Sequence, residues 1–408
     1  MNKIYCLLLI PMLFLSCKPK PETFVEYDFQ IESFKWDSNP YKFTSYIQDS
    51  IMETQGPQIG AWEFSYIGDI ENMHKAWDGN SGNRADLSQS LKDSFALFNQ
   101  TNAKDYILEK AKDHRIVIIN EAHHMPQHRA FTTQLIEGLW EQGYKHLGLE
   151  TYYNSEKNDS TLQANGYPTL KTGYYTKEPQ FGNLVRVAHQ KGLKLFGYES
   201  EGHQGGKERE INQAKNIQKY LAQFPNEKVI IHCGFDHGYE GDLSSSWEKA
   251  MAGRLTEFTD IDPLTINQTT FSERSKIEYE SPYYRLADLQ TPSVFLNEED
   301  QSFGKYKEGS WFDISVFHPR SETFNRPKWM VYGDREEVEY SFEEAEIQCP
   351  CLVFAYKSEE KIGSAVPYDI QATNAKEVKL VLDKSDFDII IMNSEGKALH
   401  SKLTKGNR

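Results

Sequence analysis

Several absences narrow the field before any motif is read. No apolar run reaches the roughly 20 residues that a membrane-spanning helix needs, which excludes a polytopic membrane protein. Positive charge is in deficit: 45 Lys and Arg stand against 60 Asp and Glu, a net charge of −15. Phosphate backbones require a basic face, so nucleic acid is excluded as a general partner. Cysteine is scarce. Of the five, Cys6 and Cys17 fall at the start of the chain, and Cys233, Cys349 and Cys351 are too few and oddly numbered for a disulfide framework. There is no Gly-x-Ser-x-Gly elbow for a serine nucleophile. Gly205-Gly206 follows no strand closely enough to cradle a phosphate. Internal repeats and long low-complexity segments are missing as well.

What is present describes a folded protein. Hydrophobic residues make up 38% of the chain and aromatics 13%, and 408 residues suffice for two or three domains with a sizeable core. The start of the chain has three parts: Lys3, an apolar run over Ile4–Leu15, then Ser16-Cys17. That pattern predicts a signal peptide over residues 1–16. Phe14-Leu15-Ser16-Cys17 resembles a bacterial lipobox, with Phe14 where Leu is usual, and the resemblance implies that Cys17 carries lipid. Residues 17–23 then form a polar, Pro-stiffened tether. The expectation is anchoring on the bacterial envelope, at the outer membrane on its periplasmic or surface face, with several acyl chains giving stable attachment.

From residue 100 the pattern becomes regular. A β-branched run at Arg115–Ile119 and further strand-like segments at His146–Leu149, Leu193–Tyr198, Lys228–Cys233 and Pro263–Asn267 alternate with helical spacing at His128–Gln142, Phe181–Lys191, Glu208–Phe224 and Ser244–Phe258. This alternation predicts an α/β domain over 100–330, a parallel or mixed sheet flanked by helices. Residues 24–99, with Trp62–Ile67 and Leu87–Phe98 as their clearest elements, are expected to pack on that core. Residues 331–408 alternate apolar and polar positions and predict a smaller β-rich module. Its strands include Cys351–Tyr356, Val378–Leu382 and Phe387–Met392, and a further strand is expected at Trp329–Tyr332.

Ionisable residues gather at the predicted carboxyl ends of four successive strands, the edge where open α/β sheets bind ligands. The first runs into Asn120-Glu121-Ala122-His123-His124, with His128 and Arg129 opening the next helix. The second ends in Leu149-Glu150. The third ends in Tyr198-Glu199, followed by Glu201, His203 and Arg209, and the fourth in Cys233-Gly234-Phe235-Asp236-His237. His is a general base near neutral pH, a carboxylate orients it, and Arg holds an anion or a developing oxyanion. The same residue types also suit a divalent metal such as Mn, Fe, Co or Zn. Taken singly, His146, His189 and His400 are expected at the surface, Trp62, Trp77 and Trp140 in packing, and Cys349 and Cys351 on one strand face; His232 could face either way.

Asn120-Glu121-Ala122-His123, followed by Pro126 and His128, resembles the Gly-Glu-x-His segment of ChaN-like haem-binding lipoproteins. The same stretch resembles the Gly-Glu-x-x-His opening of erythromycin esterases, in which case His124 is the match. Leu149-Glu150 is similar to the second family carboxylate. Arg209-Glu210 with Ala214 and Asn216-Ile217 resembles the Arg-led helix, and Gly234-Phe235-Asp236-His237 the Gly-x-x-His of TIKI/TraB proteases. Phe317-His318-Pro319-Arg320 and Arg326-Pro327-Lys328-Trp329 resemble the trailing motif. Asn120 departs from the family Gly.

The resemblance, over about residues 100–320, implies the following. His123 or His124 with Glu121 would activate water, Glu150 would support them, Arg209 would belong to the same catalytic set, and His237 would close the site. A metal, if used, would sit at His123, Glu150 and His237, and His128, Arg129, Glu199 and His203 would contact ligand. The function expected is a hydrolase cleaving an ester, lactone or amide bond of a small-molecule or peptide substrate. The alternatives are a haem- or iron-binding lipoprotein, for which Tyr174-Tyr175 and the twelve His speak, and a non-catalytic envelope interaction protein acting through its β module.

Overall fold

The computed structural model describes residues 39–152, 160–200, 205–243, 245–304, 306–307 and 309–404. The expected leader, Cys17, the tether and His203 lie outside the described residues. Among the described residues no helix is long and apolar enough to cross a membrane.

Seven helices matter here: α1 (Pro57–Tyr66), α2 (Ile70–Trp77), α3 (Ala103–Ala111), α4 (Pro126–Glu141), α5 (Pro179–Gln190), α6 (Gly206–Leu221) and α7 (Met251–Thr259). The central sheet has eight strands: β1 (Asn99–Asn102), β2 (Ile116–Glu121), β3 (Tyr144–Leu149), β4 (Lys194–Gly197), β5 (Lys228–Gly234), β6 (Leu264–Phe271), β7 (Ser293–Leu296) and β8 (Ile314–Phe317). Their order is β1-β7-β8-β6-β2-β5-β3-β4. The run from β8 to β4 is parallel, and β7 pairs antiparallel with both β8 and β1. The chain is therefore a mixed α/β protein with helices on both faces of its sheet.

Strand β2 shows why the sheet sits where it does. Successive side chains point to opposite faces, and both faces are covered, so a continuous apolar run is required. Val117 and Ile119 pack with α3, α4 and α5, while Ile116 and Ile118 pack with α6 and α7. Each such side chain contributes about 1.5–3 kcal/mol on burial. Helix α4 starts with Pro126 in its first turn and buries Phe131, Leu135, Ile136 and Leu139 along one stripe. Gly143, at φ 92°, turns the chain directly into β3. In register, Glu121 lies opposite Gly234, and Leu149 opposite both His232 and Gly197. The carboxyl ends of β2, β5, β3 and β4 thus share one edge.

The carboxy-terminal module holds six strands: β9 (Glu336–Ser341), β10 (Cys351–Lys357), β11 (Asp369–Thr373), β12 (Glu377–Leu382), β13 (Phe387–Asn393) and β14 (Ala398–Leu403). β9 pairs with β12, and the other four form a sheet in the order β11-β10-β13-β14. Along β10, Cys351, Val353 and Ala355 face the β9–β12 pair, whereas Leu352, Phe354 and Tyr356 face Tyr41, Ile47, Phe64, Ile70 and Met73 of the amino-terminal helical segment. That segment, which the sequence placed against the core, is held mainly between the module and the loop after β2, through Ala122 and Met125.

Two elements differ from expectation. Trp329–Tyr332 is not a strand. Pro327 lacks the N–H a ladder needs, Arg326 sits at φ 57°, and a 3₁₀ turn forms over Lys328–Met330. The helix expected from Ser244 begins only at Met251.

Replacing Phe354 by Ala removes a fully buried ring from the seam between module and helices. The expected loss is about 3–5 kcal/mol of unfolding free energy, read from urea unfolding; a loss below about 1 kcal/mol would mean that the seam carries little of the stability.

Candidate active site

Glu121 alternates along β2 with Val117 and Ile119, so its carboxylate faces α4. There it meets Arg129, whose side chain is 0% exposed. Arg129 Nε donates to Glu121 Oε2 at 2.5 Å and Nη2 donates to Oε1 at 2.9 Å. Nη2 also donates to the His123 carbonyl at 2.8 Å, and Nη1 to Glu178 Oε2 at 3.1 Å. Glu178 in turn caps α5, accepting from the backbone N–H of Gln180 and Phe181 at 2.9 Å each. Burial alone would raise the Glu121 carboxyl; the Arg129 charge and the bonds from His123 and Arg129 overcome it and hold the group well below the usual carboxylate range. Arg129 therefore cannot contact a ligand as expected: it is the enclosed counter-ion of two buried carboxylates.

The Glu121 carboxylate can only accept, so His123 Nδ1 donates to Oε1 at 3.0 Å and leaves Nε2 with a free lone pair. The ring stacks on Tyr175 at 4.0 Å and is edged by Phe235 at 5.1 Å and Trp62 at 5.8 Å. Its side chain keeps 10% exposure. A Cβ at Gly234 would stand 2.5 Å from Nε2 and 3.1 Å from Glu150 Oε2, so only glycine lets the ring and this carboxylate converge.

Glu150, just past β3, accepts from the Gly234 N–H at 2.5 Å through Oε2 and from Arg209 Nη2 at 2.6 Å through Oε1. Burial pushes its carboxyl up, but His237, His123, Arg209 and the Gly234 N–H bring it down to about 2. Arg209, near the start of α6, grips Glu199 through Nε (3.1 Å) and Nη2, and its Nη1 donates to His237 Nε2 at 2.9 Å. His237 Nδ1 donates to Glu210 Oε2 at 2.8 Å, the same oxygen that accepts from the Met251 N–H opening α7. The ring lies over Trp247 at 5.2 Å. Burial lowers the His237 pKa, but Glu150 and Glu210 outweigh it and raise it overall.

Glu121, His123, Glu150, Glu199, Arg209 and His237 are thus brought together. His124 and His128 are not. His124 turns away to stack on Trp77 at 3.7 Å, and burial pushes it well below its ordinary value. His128 is fully enclosed: its Nδ1 accepts from the Ala122 N–H at 3.0 Å, and its Nε2 donates to Ser272 Oγ at 3.0 Å. His232 faces the site layer, with Nε2 3.9 Å from Glu121 Oε2. Asn120, expected to allow a left-handed turn, is not left-handed: its Nδ2 donates to the Phe235 carbonyl at 2.7 Å and its Oδ1 accepts from the Gln268 N–H at 2.7 Å. It thereby holds Phe235 at φ 37°. His146, expected at the surface, is buried between Tyr220 and Glu227. Glu210, Glu178 and the Trp62 edge were missed by sequence reasoning. Glu210 had one signal, its place beside Arg209 on the same helix.

The metal set does not fit. Arg209 donates to Glu150 Oε1 and His237 Nε2, so a divalent ion at His123, Glu150 and His237 would sit against a guanidinium held in place by Glu199. Among the described residues no group of three His, Cys, Asp or Glu gathers as a metal site. Haem finds no pair of open axial ligands among these residues, because His124, His128 and His232 are enclosed and His237 Nε2 is engaged by Arg209. Thiol chemistry is unsupported too: Cys233 is buried on the α6–α7 side, and burial pushes its thiol well up.

No protein-family model matches the chain, and no curated protein matches it. Solved structures give partial likenesses. The type III effector HopBA1 is 11% identical at a TM-score of 0.34, over 54% of this chain and 96% of that one. RRSP, a MARTX toxin effector domain from Vibrio vulnificus, is 16% identical at 0.31, over 58% and 47%. The C-terminal region of Pasteurella multocida toxin, described with a thiol-protease-like triad, is 10% identical at 0.29, over 55% and 32%. The chain thus spans about half or less of the last two. Likenesses of this size carry no inference about chemistry.

Two outcomes follow from the geometry. Gly234→Ala forces the His123 ring or the Glu150 carboxylate to move and is expected to cost about 1–3 kcal/mol in urea unfolding; an unchanged midpoint would show that the notch is not close-packed. The enclosed histidines set the acid limb. His232 and His74 are lowered to about 4 and His318 to about 3, by burial above all, and ordinary His titrates near 6.5. Below about 6.5 the unfolded chain takes up protons that the folded chain refuses, so stability falls as pH drops from 6.5 toward 4. Glu150 and Glu121 steepen the fall below 4.5. His237 runs the other way, its contribution present below 6.5 and lost as pH rises through its raised value. A urea midpoint that rises between pH 6.5 and 4 would contradict this assignment.

Proposed function

We propose that the chain is a hydrolase that cleaves an ester, lactone or amide bond with water activated by His123, and that it works without a metal at His123, Glu150 and His237. One observation carries the reading. Two histidines from different strand ends each donate Nδ1–H to a buried carboxylate, Glu121 for His123 and Glu210 for His237, and Arg209 and Glu150 lie between them. A base and an acid each need a carboxylate that fixes the tautomer and direction of the ring. The resemblance of Gly234-Phe235-Asp236-His237 to the Gly-x-x-His of TIKI/TraB proteases points the same way, while the Glu121-x-His123 spacing itself is that of the haem-binding relatives and His124 is the match to the esterases.

In this reading His123 Nε2 takes a proton from water as the water oxygen bonds to the carbonyl carbon. Glu121 holds the ring and stabilises the imidazolium that forms, remaining ionised itself. Arg209 is the cation nearest the developing oxyanion. Collapse breaks the bond to the leaving alcohol or amine, which takes a proton from His237. An arginine N–H only donates, so the contact from Arg209 belongs to neutral His237; protonating Nε2 requires Arg209 to release it, while Glu150 and Glu199 retain the guanidinium through its other N–H groups. In the same reading the chain is held at the bacterial envelope by a lipid on Cys17, for which the resemblance of Phe14-Leu15-Ser16-Cys17 to a lipobox speaks.

The test is a panel of p-nitrophenyl esters, lactones and peptide anilides, run on the full chain with and without EDTA. His123→Ala and Glu121→Gln are expected to lower kcat/KM by about 10²–10⁴-fold, with far-ultraviolet circular dichroism unchanged for His123→Ala and turnover indifferent to EDTA. Turnover that survives His123→Ala sinks the reading, and turnover abolished by EDTA and restored by Zn or Mn sinks its metal-free part.

A further inference from the structure

Beside the Glu/His cluster, at the carboxyl end of β6, lies a separate cleft of about 750 Å³, within the range of small-molecule sites. Its wall includes Arg84, Arg274, Tyr279, Tyr283, Phe303 and Asp236. None of these belongs to the machinery described above, although Asp236 precedes His237 in the turn after β5.

The charges are unevenly paired. Arg274 Nε stands 2.9 Å from Asp78 Oδ1, yet off the hydrogen-bond direction, so this buried N–H has no acceptor. Asp78 is already occupied, accepting from the Ser275 N–H at 2.7 Å and from Ser81 Oγ at 3.2 Å. Arg84 is exposed and makes no ion pair among the described residues. It lies near enough to Arg274 that, after burial, its charge is a further force pushing that guanidinium down, against Asp78 and Glu280. Two neighbouring guanidinium groups whose nearby carboxylates are already committed, Asp78 to Ser275 and Ser81 and Glu280 to Arg320, form a site for an anion, since charge-assisted N–H bonds to phosphate or carboxylate are stronger than neutral ones.

The other wall is aromatic. Tyr283 packs against Phe303 at 4.7 Å, and both rings, with Tyr279, are only partly covered. The two tyrosine hydroxyls make no hydrogen bond among the described residues. Flat rings with free edges suit an aromatic guest.

We propose that this cleft binds a small aromatic anion, with its phosphate or carboxylate on Arg84 and Arg274 and its ring against Tyr279, Tyr283 and Phe303. Asp236, the carboxylate on the same wall, repels the anionic end from the side of the cleft next to His237 and so sets the direction of binding. The site stands apart from the hydrolase reading, because binding needs neither His123 nor Glu121.

Phenyl phosphate titrated into the full chain by isothermal calorimetry is the test, beside inorganic phosphate and phenol. Phenyl phosphate is expected to bind more tightly than either fragment. Arg84→Ala, an exposed change with no bearing on folding, is expected to weaken it about tenfold or more, with Arg84→Lys intermediate and His123→Ala unchanged. No binding of phenyl phosphate, or binding indifferent to Arg84→Ala, overturns the proposal. Inorganic phosphate binding as tightly as phenyl phosphate overturns the aromatic half, and loss of binding in His123→Ala would put the ligand in the Glu/His cluster instead.

Discussion

The enclosed guanidinium of Arg129 is the contact on which the site depends. It neutralises Glu121 and Glu178 at once and fixes the carbonyl of His123. Through these bonds it ties the end of β2, the first turn of α4 and the cap of α5 into one body. A carboxylate as deeply buried as Glu121 would otherwise hold a proton and lose its grip on His123 Nδ1. Removing one partner of such a network typically costs about 3–5 kcal/mol, because the charges left behind have no water to turn to. The position and tautomer of His123 are consequences of this ion cluster.

A second cluster on the far side of Gly234 follows the same logic with a different outcome. Arg209 also serves two carboxylates, Glu150 and Glu199, but it is partly exposed and keeps one N–H on His237. One arginine is sealed and structural, the other open and free to trade partners. Gly234 is where the two clusters meet, since its missing side chain admits both the His123 ring and the Glu150 carboxylate. The site is electrostatically self-sufficient: its negative charges are met by guanidinium groups and imidazoles, leaving no vacant donor set for a divalent ion.

Local pattern carried much of the fold. The apolar runs of β2, β3 and β5 need burial on both faces, and that alone implies a sheet covered by helices. The shared edge at Glu121, Glu150, Glu199 and His237 was legible because four strand ends carried ionisable residues in succession. Other features depend on partners far along the chain. Arg129 opens a helix and so looks solvated, and its burial is decided by Glu178, 49 positions on. His146 is enclosed through Glu227, 81 positions away. The choice between His123 and His124 rests on the direction of one turn, set by the Asn120–Phe235 bond and the Trp77 ring waiting for His124. Trp62 and Trp77 had no periodicity that could link them to residues 120–124.

That last link has a consequence for how the protein comes to exist. Trp62 and Trp77, which wall the histidine loop, sit on helices whose apolar side is covered by Leu352, Phe354, Ile390 and Met392. A ribosome makes those helices early and the covering strands some 300 residues later. At synthesis rates of about 5–20 residues per second, that interval lasts on the order of tens of seconds. Throughout it the nascent chain carries Glu121 and His123 without the aromatic wall that confines them. The wall around the histidine loop is thus complete only when the final strands close over the first helices.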